Sequence, residues 1–374
     1  MHPSYFFDIL HENEIDFFTG VPDSLLKSFC AYIIDHVAKN HIIAANEGNA
    51  VGLAIGYHLA TNKIPLVYMQ NSGLGNAINP LLSLADTDVY SIPILLIIGW
   101  RGEPGYHDEP QHKKQGRVTL NNLDALGIPW EIITGSVEEA VIGVQKAVRF
   151  MNENNAPFAF VVKKGAFDSY TPMHDKKTSY PLKRENAIKL IIESLDDRDI
   201  VVSTTGMASR EVFEYRESLT HGHRRDFLTI GGMGHASQIA LGIAIHKPNR
   251  QVFCLDGDGS ALMHLGSMAI NGVQKSPNFK HIVINNGAHD SVGGQPTVGF
   301  DINFREIAKA VGYVTILYAE TREEVISRLN ILKSVQGPAF LEIRVNKGGR
   351  KDLGRPITTP IENKICFMKF LNED

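Results

Sequence analysis

"CLDGDGSALMHLGSMAINGVQKSPNFKHIVINNG" (residues 254–287) begins and ends with a short apolar, β-branched run that stops at a polar glycine turn. The first turn is Gly-Asp-Gly and the second is Asn-Asn-Gly. Between them, apolar residues recur at helical spacing over 261–276, which predicts a crossover helix between two neighbouring parallel strands. Since ligands of parallel sheets bind beyond the carboxyl ends of strands, we expect Asp258 and Asn286 to reach one site.

The polar atoms expected at this site suit a hard metal ion. Carboxylate and amide oxygens without thiolate or imidazole are typical ligands of magnesium or calcium, and magnesium often completes its shell with phosphate oxygens and water. Gly257 and Gly259 let a diphosphate approach the backbone near the start of the following helix, where free N–H groups favour anions. A metal-bridged diphosphate is therefore expected, whereas an isolated Gly-Asp-Gly is usually a tight turn.

The same alternation of strand and helix patterns runs through all 374 residues. It predicts an α/β protein of two doubly wound parallel sheets, because such strands read as continuous apolar runs. The predicted strands are 41–46, 65–70, 93–99 and 158–164 in the first half, and 199–204, 226–231, 251–256, 281–286, 314–319 and 339–345 in the second. A polar, proline-containing stretch, 165–186, separates the halves. We predict domains at 1–170 and 186–374, joined by a linker at 171–185.

Composition excludes several classes of protein. A net charge of -4 gives no overall attraction to nucleic acid or to anionic membranes. Three scattered cysteines are too few for a disulfide framework, so a reducing cytoplasm is expected. The most apolar run, 92–100, is too short to span a bilayer, so no membrane partner is expected.

Two further segments carry candidate chemistry. Glu47 ends a predicted strand and begins an apolar helix, which leaves its carboxyl partly removed from water and suited to sharing a proton. For an isolated glutamate, an interaction with the helix dipole is the simpler interpretation. "TIGGMGHASQIALGIAIH" (229–246) predicts a strand, a glycine turn and a helix. It contains Met233, which ordinary core filling would also explain.

Taken together, the paired Gly-Asp-Gly and Asn-Asn turns, Glu47 and the 229–246 turn resemble the thiamine diphosphate enzyme family, in the domain order of its decarboxylases. The resemblance implies a pyrimidine-binding domain first and a diphosphate-binding domain second, with no middle domain. It also implies thiamine diphosphate and Mg²⁺ as cofactors. At least a homodimer is implied, because the active sites of this family form between subunits.

The resemblance also assigns roles to residues. Glu47 matches the glutamate that hydrogen-bonds the pyrimidine ring. The other matched cofactor contacts are Asp258, Asn286 and the Ala288 carbonyl for the metal, Gly257, Gly259 and Ser260 for the diphosphate, and Gly231 and Met233 for the bent cofactor. Asp23, His107 and His112 match, more loosely, polar residues that relay protons or orient the substrate.

The segments most similar to short members of this family span nearly the whole chain: 17–29, 46–61, 69–84, 99–116, 284–297 and 350–360. These members decarboxylate phosphonopyruvate or sulfopyruvate, and the similarity is greater to those acting on phosphonopyruvate. The implied reaction yields phosphonoacetaldehyde and carbon dioxide in phosphonate (2-aminoethylphosphonate) biosynthesis. A dianionic phosphonate requires cationic partners. The candidates are Arg101, Lys113, Lys114, Arg117, Arg350, Lys351 and Arg355, each of which could instead be a solvated surface charge.

Three other functions remain as alternatives. Sulfopyruvate decarboxylation differs mainly in the charge of the substrate. A nicotinamide-dependent oxidoreductase is suggested by the glycine turns at 73–75 and 232–234, but it lacks an acidic residue after the next strand to bind ribose. A non-catalytic cofactor-binding subunit would have no need for the activating Glu47.

Overall fold

The computed structural model describes residues 1–37, 39–173, 178–220, 222–350 and 352–373. It divides into two compact units, Met1–Asp175 (unit 1) and Lys176–Asp374 (unit 2). The division falls within the predicted linker 171–185, of which 174–177 lies outside the described residues. The cofactor roles assigned to the two predicted domains stay predictions.

Unit 1 is built on a parallel six-stranded sheet in the order β2-β1-β3-β4-β6-β5. Its strands are β1 (Phe18–Gly20), β2 (His41–Ile43), β3 (Leu66–Gln70), β4 (Leu95–Gly99), β5 (Trp130–Ile133) and β6 (Phe158–Val162). Its helices are α1 (Pro3–Glu12), α2 (Lys27–His36), α3 (Glu47–Thr61), α4 (Leu74–Pro80), α5 (Pro110–Ala125) and α6 (Val137–Asn154). A 3-10 turn, Asn71–Gly73, follows β3, and a π-helical turn, Leu81–Ala85, follows α4.

Both faces of this sheet are covered, as expected for apolar parallel strands. Along β3, Leu66 and Tyr68 pack into the core on one face, while Val67 and Met69 pack into the core on the other. Each fully buried side chain of this size contributes about 1.5–3 kcal/mol. The continuous apolar runs in the sequence are therefore the cause of the doubly wound architecture.

Unit 2 contains a second parallel six-stranded sheet, in the order β13-β14-β10-β9-β7-β8, and a small antiparallel pair, β11-β12. Its strands are β7 (Ile200–Ser203), β8 (Asp226–Leu228), β9 (Val252–Gly257), β10 (Phe279–Asn285), β11 (Ala288–His289), β12 (Gln295–Pro296), β13 (Thr315–Ala319) and β14 (Ala339–Arg344). Its helices are α7 (Arg184–Ser194), α8 (Met207–Ser218), α9 (Ala236–His246), α10 (Asp258–Met263), α11 (Gly266–Gln274), α12 (Phe304–Ala310), α13 (Arg322–Ser334) and α14 (Pro360–Leu371). A 3-10 turn, Asp290–Val292, lies between β11 and β12.

The predicted fold class is confirmed, with differences in detail. β9 and β10 pair in parallel, as predicted for two neighbouring strands joined by a helical crossover. The crossover predicted at 261–276 is instead two helices, α10 and α11, and the first begins at the Gly-Asp-Gly turn itself. In unit 1 the sequence predicted four strands and missed β1 and β5, whose apolar runs are short or interrupted by polar residues.

No helix in the described part of the chain is both long enough and apolar enough to cross a membrane.

Candidate functional site

The ends of β9 and β10 bring the two predicted metal ligands together. The strands run in parallel with Ile284 opposite Gly257, so the residues that follow them lie at the same edge of the sheet. Asp258 and Asn286 are both buried. The backbone N–H of Asn286 donates to Asp258 Oδ1 across 3.3 Å. Two oxygen-bearing side chains therefore meet at the edge where parallel sheets bind ligands.

Burial dominates the electrostatics of Asp258. It raises the pKa of this carboxyl to about 6, although hydrogen bonds from the Thr297 hydroxyl and the Asn286 backbone favour the charged form. The Thr297 hydroxyl donates to Asp258 Oδ2. A carboxylate removed from water in this way gains much from a cation, which would offset the cost of burying its charge.

The side-chain amide of Asn286 has a defined orientation. Its Oδ1 accepts a hydrogen bond from the Ala288 N–H at 3.2 Å, and its Nδ2 donates to Asp290 Oδ2 at 2.7 Å. Ala288 itself is buried and begins the short β11 strand. Of the three residues predicted to hold the metal, Asn286 and Ala288 follow β10, and Asp258 follows the neighbouring strand β9.

The remaining predicted cofactor contacts of unit 2 lie around the same turn. Ser260 Oγ is buried, and it accepts hydrogen bonds from Thr204 Oγ1 at 2.9 Å and from the Gly234 N–H at 3.1 Å. Met233 Cε and the His289 ring both lie against Gly259. The half-buried Gly231 belongs to the same loop, between β8 and α9. The 229–246 turn and the Gly-Asp-Gly turn therefore form one continuous surface.

This surface fits a diphosphate bridged by a hard cation. The donors at its centre are carboxylate and amide oxygens, which Mg²⁺ prefers. Among the described residues, no heavy atom beyond its chain neighbours lies within 4 Å of the position that a Cβ on Gly257 would occupy, so the turn faces open space. Burial lowers the pKa of the nearby His289 to about 4, so this ring is neutral near pH 7.

In unit 1, Glu47 is the first residue of α3 and is buried. Asn46 caps the helix by accepting a hydrogen bond from the Gly48 N–H at 2.8 Å. Glu47 Oε2 accepts a hydrogen bond from Asn76 Nδ2 at 2.8 Å. A Cβ on Gly73 would lie only 2.4 Å from Glu47 Oε1, so a larger residue there would displace the Glu47 side chain. The carboxyl is therefore held between the start of α3 and the segment that follows β3.

Asp23 is fully buried after β1. Its Oδ1 accepts a hydrogen bond from Gln70 Nε2 at 2.7 Å, and its Oδ2 accepts one from the Leu25 N–H at 2.9 Å. Burial raises the pKa of Asp23, while these hydrogen bonds and the positive charge of Arg101 oppose the rise. Asp23 is thus a buried acid within the field of an arginine.

Arg101 follows β4 and is held by two neighbours. Its Nε and Nη2 donate to Asp108 at 2.8 and 2.5 Å, and its Nη1 donates to Ser24 Oγ at 2.8 Å. The structure places buried His112 beside this ion pair. Burial lowers the pKa of His112 to about 4, and the Arg101 charge acts in the same direction. Within the described residues, His112 Nδ1 has no hydrogen-bond partner.

His107 is exposed in the loop before α5, so it is not part of the largely buried cluster of Asp23, Arg101 and His112. Three of the cationic candidates, Lys113, Lys114 and Arg117, are also exposed. Arg350 pairs with Glu185 at 3.0 Å and with Glu214. Arg355 is exposed, and Lys351 lies outside the described residues. Arg101 lies in the polar cluster that also contains the buried Asp23 and His112.

Another group with metal-ligand chemistry occurs among the described residues: Cys254, Asp256 and His281, all buried on β9 and β10. Two of these side chains already make hydrogen bonds within the protein. His281 Nδ1 contacts the Tyr313 hydroxyl at 2.9 Å, and Asp256 Oδ1 accepts from the Gly257 N–H at 3.1 Å. Burial raises the pKa of the Cys254 thiol well above its usual value, so the thiol stays protonated and is a poor ligand.

Sequence reasoning missed the partners that hold the predicted side chains. Gln70 and Asn76 lie in the 69–84 segment, and Thr297 and Asp290 lie in the 284–297 segment, both of which were singled out for similarity rather than for chemistry. Asp290, an acidic residue four positions after Asn286, was a readable signal. Arg184 gave no signal in the sequence, because it lies 106 residues before Asp290 and only the fold brings the two together.

Two family models match the chain. The model described as "Thiamine pyrophosphate enzyme, N-terminal TPP binding domain" matches residues 3–125, within unit 1. The model described as "Thiamine pyrophosphate enzyme, C-terminal TPP binding domain" matches residues 204–343, within unit 2.

Three curated relatives are similar over most of their length. Phosphonopyruvate decarboxylase of Streptomyces viridochromogenes is 32% identical, covering 94% of this chain and 90% of the relative. Phosphonopyruvate decarboxylase of Streptomyces hygroscopicus is 32% identical, covering 95% and 90%. Sulfopyruvate decarboxylase of Methanosarcina acetivorans is 26% identical, covering 91% and 90%.

Proposed function

Because this chain belongs to the thiamine pyrophosphate enzyme family, we propose that it decarboxylates 3-phosphonopyruvate to phosphonoacetaldehyde and carbon dioxide, with thiamine diphosphate and Mg²⁺ as cofactors. The observation that carries the proposal is the 32% identity to phosphonopyruvate decarboxylases over 94% or more of the chain. The reaction would serve phosphonate biosynthesis, as a step towards 2-aminoethylphosphonate or a related compound.

Unit 2 would hold the charged end of the cofactor. Asp258, Asn286 and the Ala288 carbonyl would bind Mg²⁺, and the turn from Gly257 to Ser260 would bind the diphosphate. When bound, thiamine diphosphate supplies the electron sink that lets a 2-oxo acid lose carbon dioxide. Met233 and Gly231 would support the middle of the cofactor, since both lie in the loop that joins this surface.

Glu47 would exchange a proton with the pyrimidine ring. Its Oε2 is already occupied by Asn76, and its Oε1 faces Gly73, so Oε1 is the atom assigned to the proton. Burial next to an apolar helix removes water that would otherwise compete for this hydrogen bond.

Asp23, His112 and Arg101 would act on the substrate. The raised pKa of Asp23, caused by burial, lets this carboxyl carry a proton closer to neutral pH than an ordinary aspartate, as proton donation to the product requires. His112, neutral near pH 7, would orient the substrate by hydrogen bonding. Arg101 donates three of its five N–H groups to Asp108 and Ser24, and among the described residues two remain for a phosphonate. The exposed His107, in the loop before α5, is proposed to orient the substrate or relay a proton.

The active enzyme would be a homo-oligomer, at least a dimer, with each active site formed from unit 1 of one chain and unit 2 of another. Exposed apolar side chains on the helices of both units support this proposal. On α3 these are Leu53 and Leu59, and in unit 2 they are Ile245 on α9 and Ile270 and Val273 on α11. Apolar helix faces of this kind are commonly covered by a partner, and a second copy of the chain is the partner proposed here.

Sulfopyruvate is the second candidate substrate, since the sulfopyruvate decarboxylase of Methanosarcina acetivorans is 26% identical over 91% of the chain. A sulfonate carries one negative charge, whereas a phosphonate carries up to two, so both would fit a cationic pocket. The greater identity to phosphonopyruvate decarboxylases favours the phosphonate.

Phosphorus NMR tests the proposal directly. The protein is incubated with phosphonopyruvate, thiamine diphosphate and Mg²⁺, and the substrate signal should be replaced by that of phosphonoacetaldehyde. Leaving out either cofactor should stop the conversion. A phosphonopyruvate signal that persists in the complete mixture, with folded protein, would refute the proposed substrate.

A further inference from the structure

Asp290 lies beside the proposed metal ligand Asn286, on the 3-10 turn between β11 and β12. Its Oδ2 accepts a hydrogen bond from Asn286 Nδ2 at 2.7 Å. A carboxylate only accepts hydrogen bonds, so the nitrogen of the amide must face Asp290. If the amide were turned over, two oxygens would face each other at this distance and repel.

Asp290 is itself held in place by donors from two other segments. Arg184 Nη1 donates to its Oδ2 at 2.6 Å, and the Gly348 N–H lies 3.1 and 3.0 Å from its two oxygens. Arg184 is in turn fixed by Glu211, which accepts from Nε at 2.8 Å and from Nη2 at 3.0 Å. Both Arg184 and Glu211 are buried. Ion pairs of this geometry are rigid, so Asp290 has little freedom to turn away.

We propose that Asp290 is a positioning residue that, held by Arg184, fixes the Asn286 amide with its oxygen towards the metal site. The Ala288 N–H uses one lone pair of Asn286 Oδ1, and the other lone pair remains for a cation. The inference rests on the metal site of the proposed function, and it adds the residue that orients one of the metal ligands. Partners of this kind commonly change metal affinity by about 10–100-fold.

Mn²⁺ is a suitable probe, since it prefers the same oxygen ligands as Mg²⁺ and its unbound form is measured by electron paramagnetic resonance. Titrations contain thiamine diphosphate throughout, and a mixture without protein is the blank. Asp290→Asn should weaken Mn²⁺ binding about 10–100-fold. Asp197→Asn is the matched control, because Asp197 is also an arginine-paired carboxylate of unit 2, 3.0 Å from Arg225, but is exposed. It should bind Mn²⁺ like the parent.

A side-chain exchange separates orientation from mere structural support. In the double variant Asn286→Asp with Asp290→Asn, the new amide donates to the new carboxylate, and either oxygen of residue 286 can serve as ligand. Asn286→Asp alone is the reference, because a carboxylate ligand adds affinity by itself. Asp290→Asn should weaken Mn²⁺ binding about 10–100-fold when residue 286 is asparagine, but only within about threefold when it is aspartate, which offers an oxygen in either orientation. If Asp290 only supports the fold through Arg184, the loss is the same in both backgrounds.

The outcomes are distinguishable. If the parent protein shows no Mn²⁺ binding above the blank, the proposed metal site fails. If the parent binds Mn²⁺ but Asp290→Asn binds it within about threefold as tightly, or the loss is the same with asparagine and with aspartate at position 286, the positioning role is overturned while the metal site stands. Circular dichroism and a thermal unfolding midpoint establish that each variant is folded.

Discussion

The proposed metal-ligand edge of unit 2 and the buried acid cluster of unit 1 are built differently. Asp258, Asn286 and Asp290 come from one βαβ unit and the turn after it. Asp23, Arg101 and His112 follow or lie beyond two different strands, β1 and β4. In the proposed mechanism, the first arrangement would anchor the charged end of the cofactor, and the second would control protons. The proposed anchoring residues are therefore close together in the sequence, whereas the proposed proton-handling residues are far apart.

The largest expected effect concerns Glu47. If unit 1 supplies the proton chemistry and unit 2 the anchoring, Glu47→Gln should lower turnover about 10²–10⁴-fold and leave thiamine diphosphate binding within a few-fold of the parent. Steady-state carbon dioxide release and isothermal titration with the cofactor check both parts. Glu138→Gln is the control, because Glu138 is an exposed glutamate in the first turn of α6. Unchanged turnover in Glu47→Gln would remove Glu47 from the mechanism.

A second experiment tests whether unit 1 of one chain and unit 2 of another form a shared active site. Glu47→Gln and Asp258→Asn should each be inactive, but oligomers that contain one copy of each should recover about a quarter to a half of the parent activity, because one kind of site is then intact. Co-expression with two affinity tags and purification on both gives these oligomers. The double variant co-expressed with the parent is the control, because each shared site of such a mixed dimer carries one of the two substitutions and the dimer should be inactive. No recovery in the mixed oligomers would contradict sites shared between subunits.

The third effect is on substrate affinity. Arg101→Gln should raise KM for phosphonopyruvate about tenfold or more, because a charge-assisted hydrogen bond contributes about 1.5–3 kcal/mol. Lys114→Gln should leave KM within about twofold, since Lys114 is exposed on α5. The measurement is steady-state kinetics with both kcat and KM reported. If Lys114→Gln raises KM and Arg101→Gln does not, the phosphonate lies elsewhere.

The smallest effect is on stability and depends on pH. Burial lowers the pKa of His112 to about 4, so the unfolded chain, with a histidine pKa near 6.5, binds more protons. The contribution of His112 is fully present above about pH 6.5 and is lost as the pH falls towards 4. Between these values the free energy of unfolding of the parent should fall by about 2 kcal/mol more than that of His112→Gln, after allowance for partial solvent screening. Urea unfolding at both pH values measures this. Parallel curves for the two proteins would show that His112 is not buried neutral.

The comparison of the two regions also explains what the sequence could predict. The Asp258 and Asn286 pair followed from strand ends and helical spacing alone, because parallel strands place their carboxyl ends together. Asp23 and His112 required a family resemblance, since no local pattern reports that β1 and β4 lie on either side of β3.

Other features of the fold could not be predicted from the sequence, for physical reasons. The strands β1 and β5 were missed, because their apolar runs are short or interrupted: Thr19 and Gly20 follow Phe18 in β1, and the charged Glu131 lies within β5. The break between α10 and α11 was missed, because the apolar spacing continues across it. Arg184 was missed, because a buried arginine is identified only by the carboxylates that the fold brings to it.

Carbon dioxide release from phosphonopyruvate, sulfopyruvate and pyruvate at equal concentrations, with thiamine diphosphate and Mg²⁺ present, tests the proposed function most directly. We expect a strong preference for phosphonopyruvate, abolished when either cofactor is removed. A preference for sulfopyruvate would keep the mechanism and overturn the substrate. No release from any of the three acids would contradict decarboxylation itself.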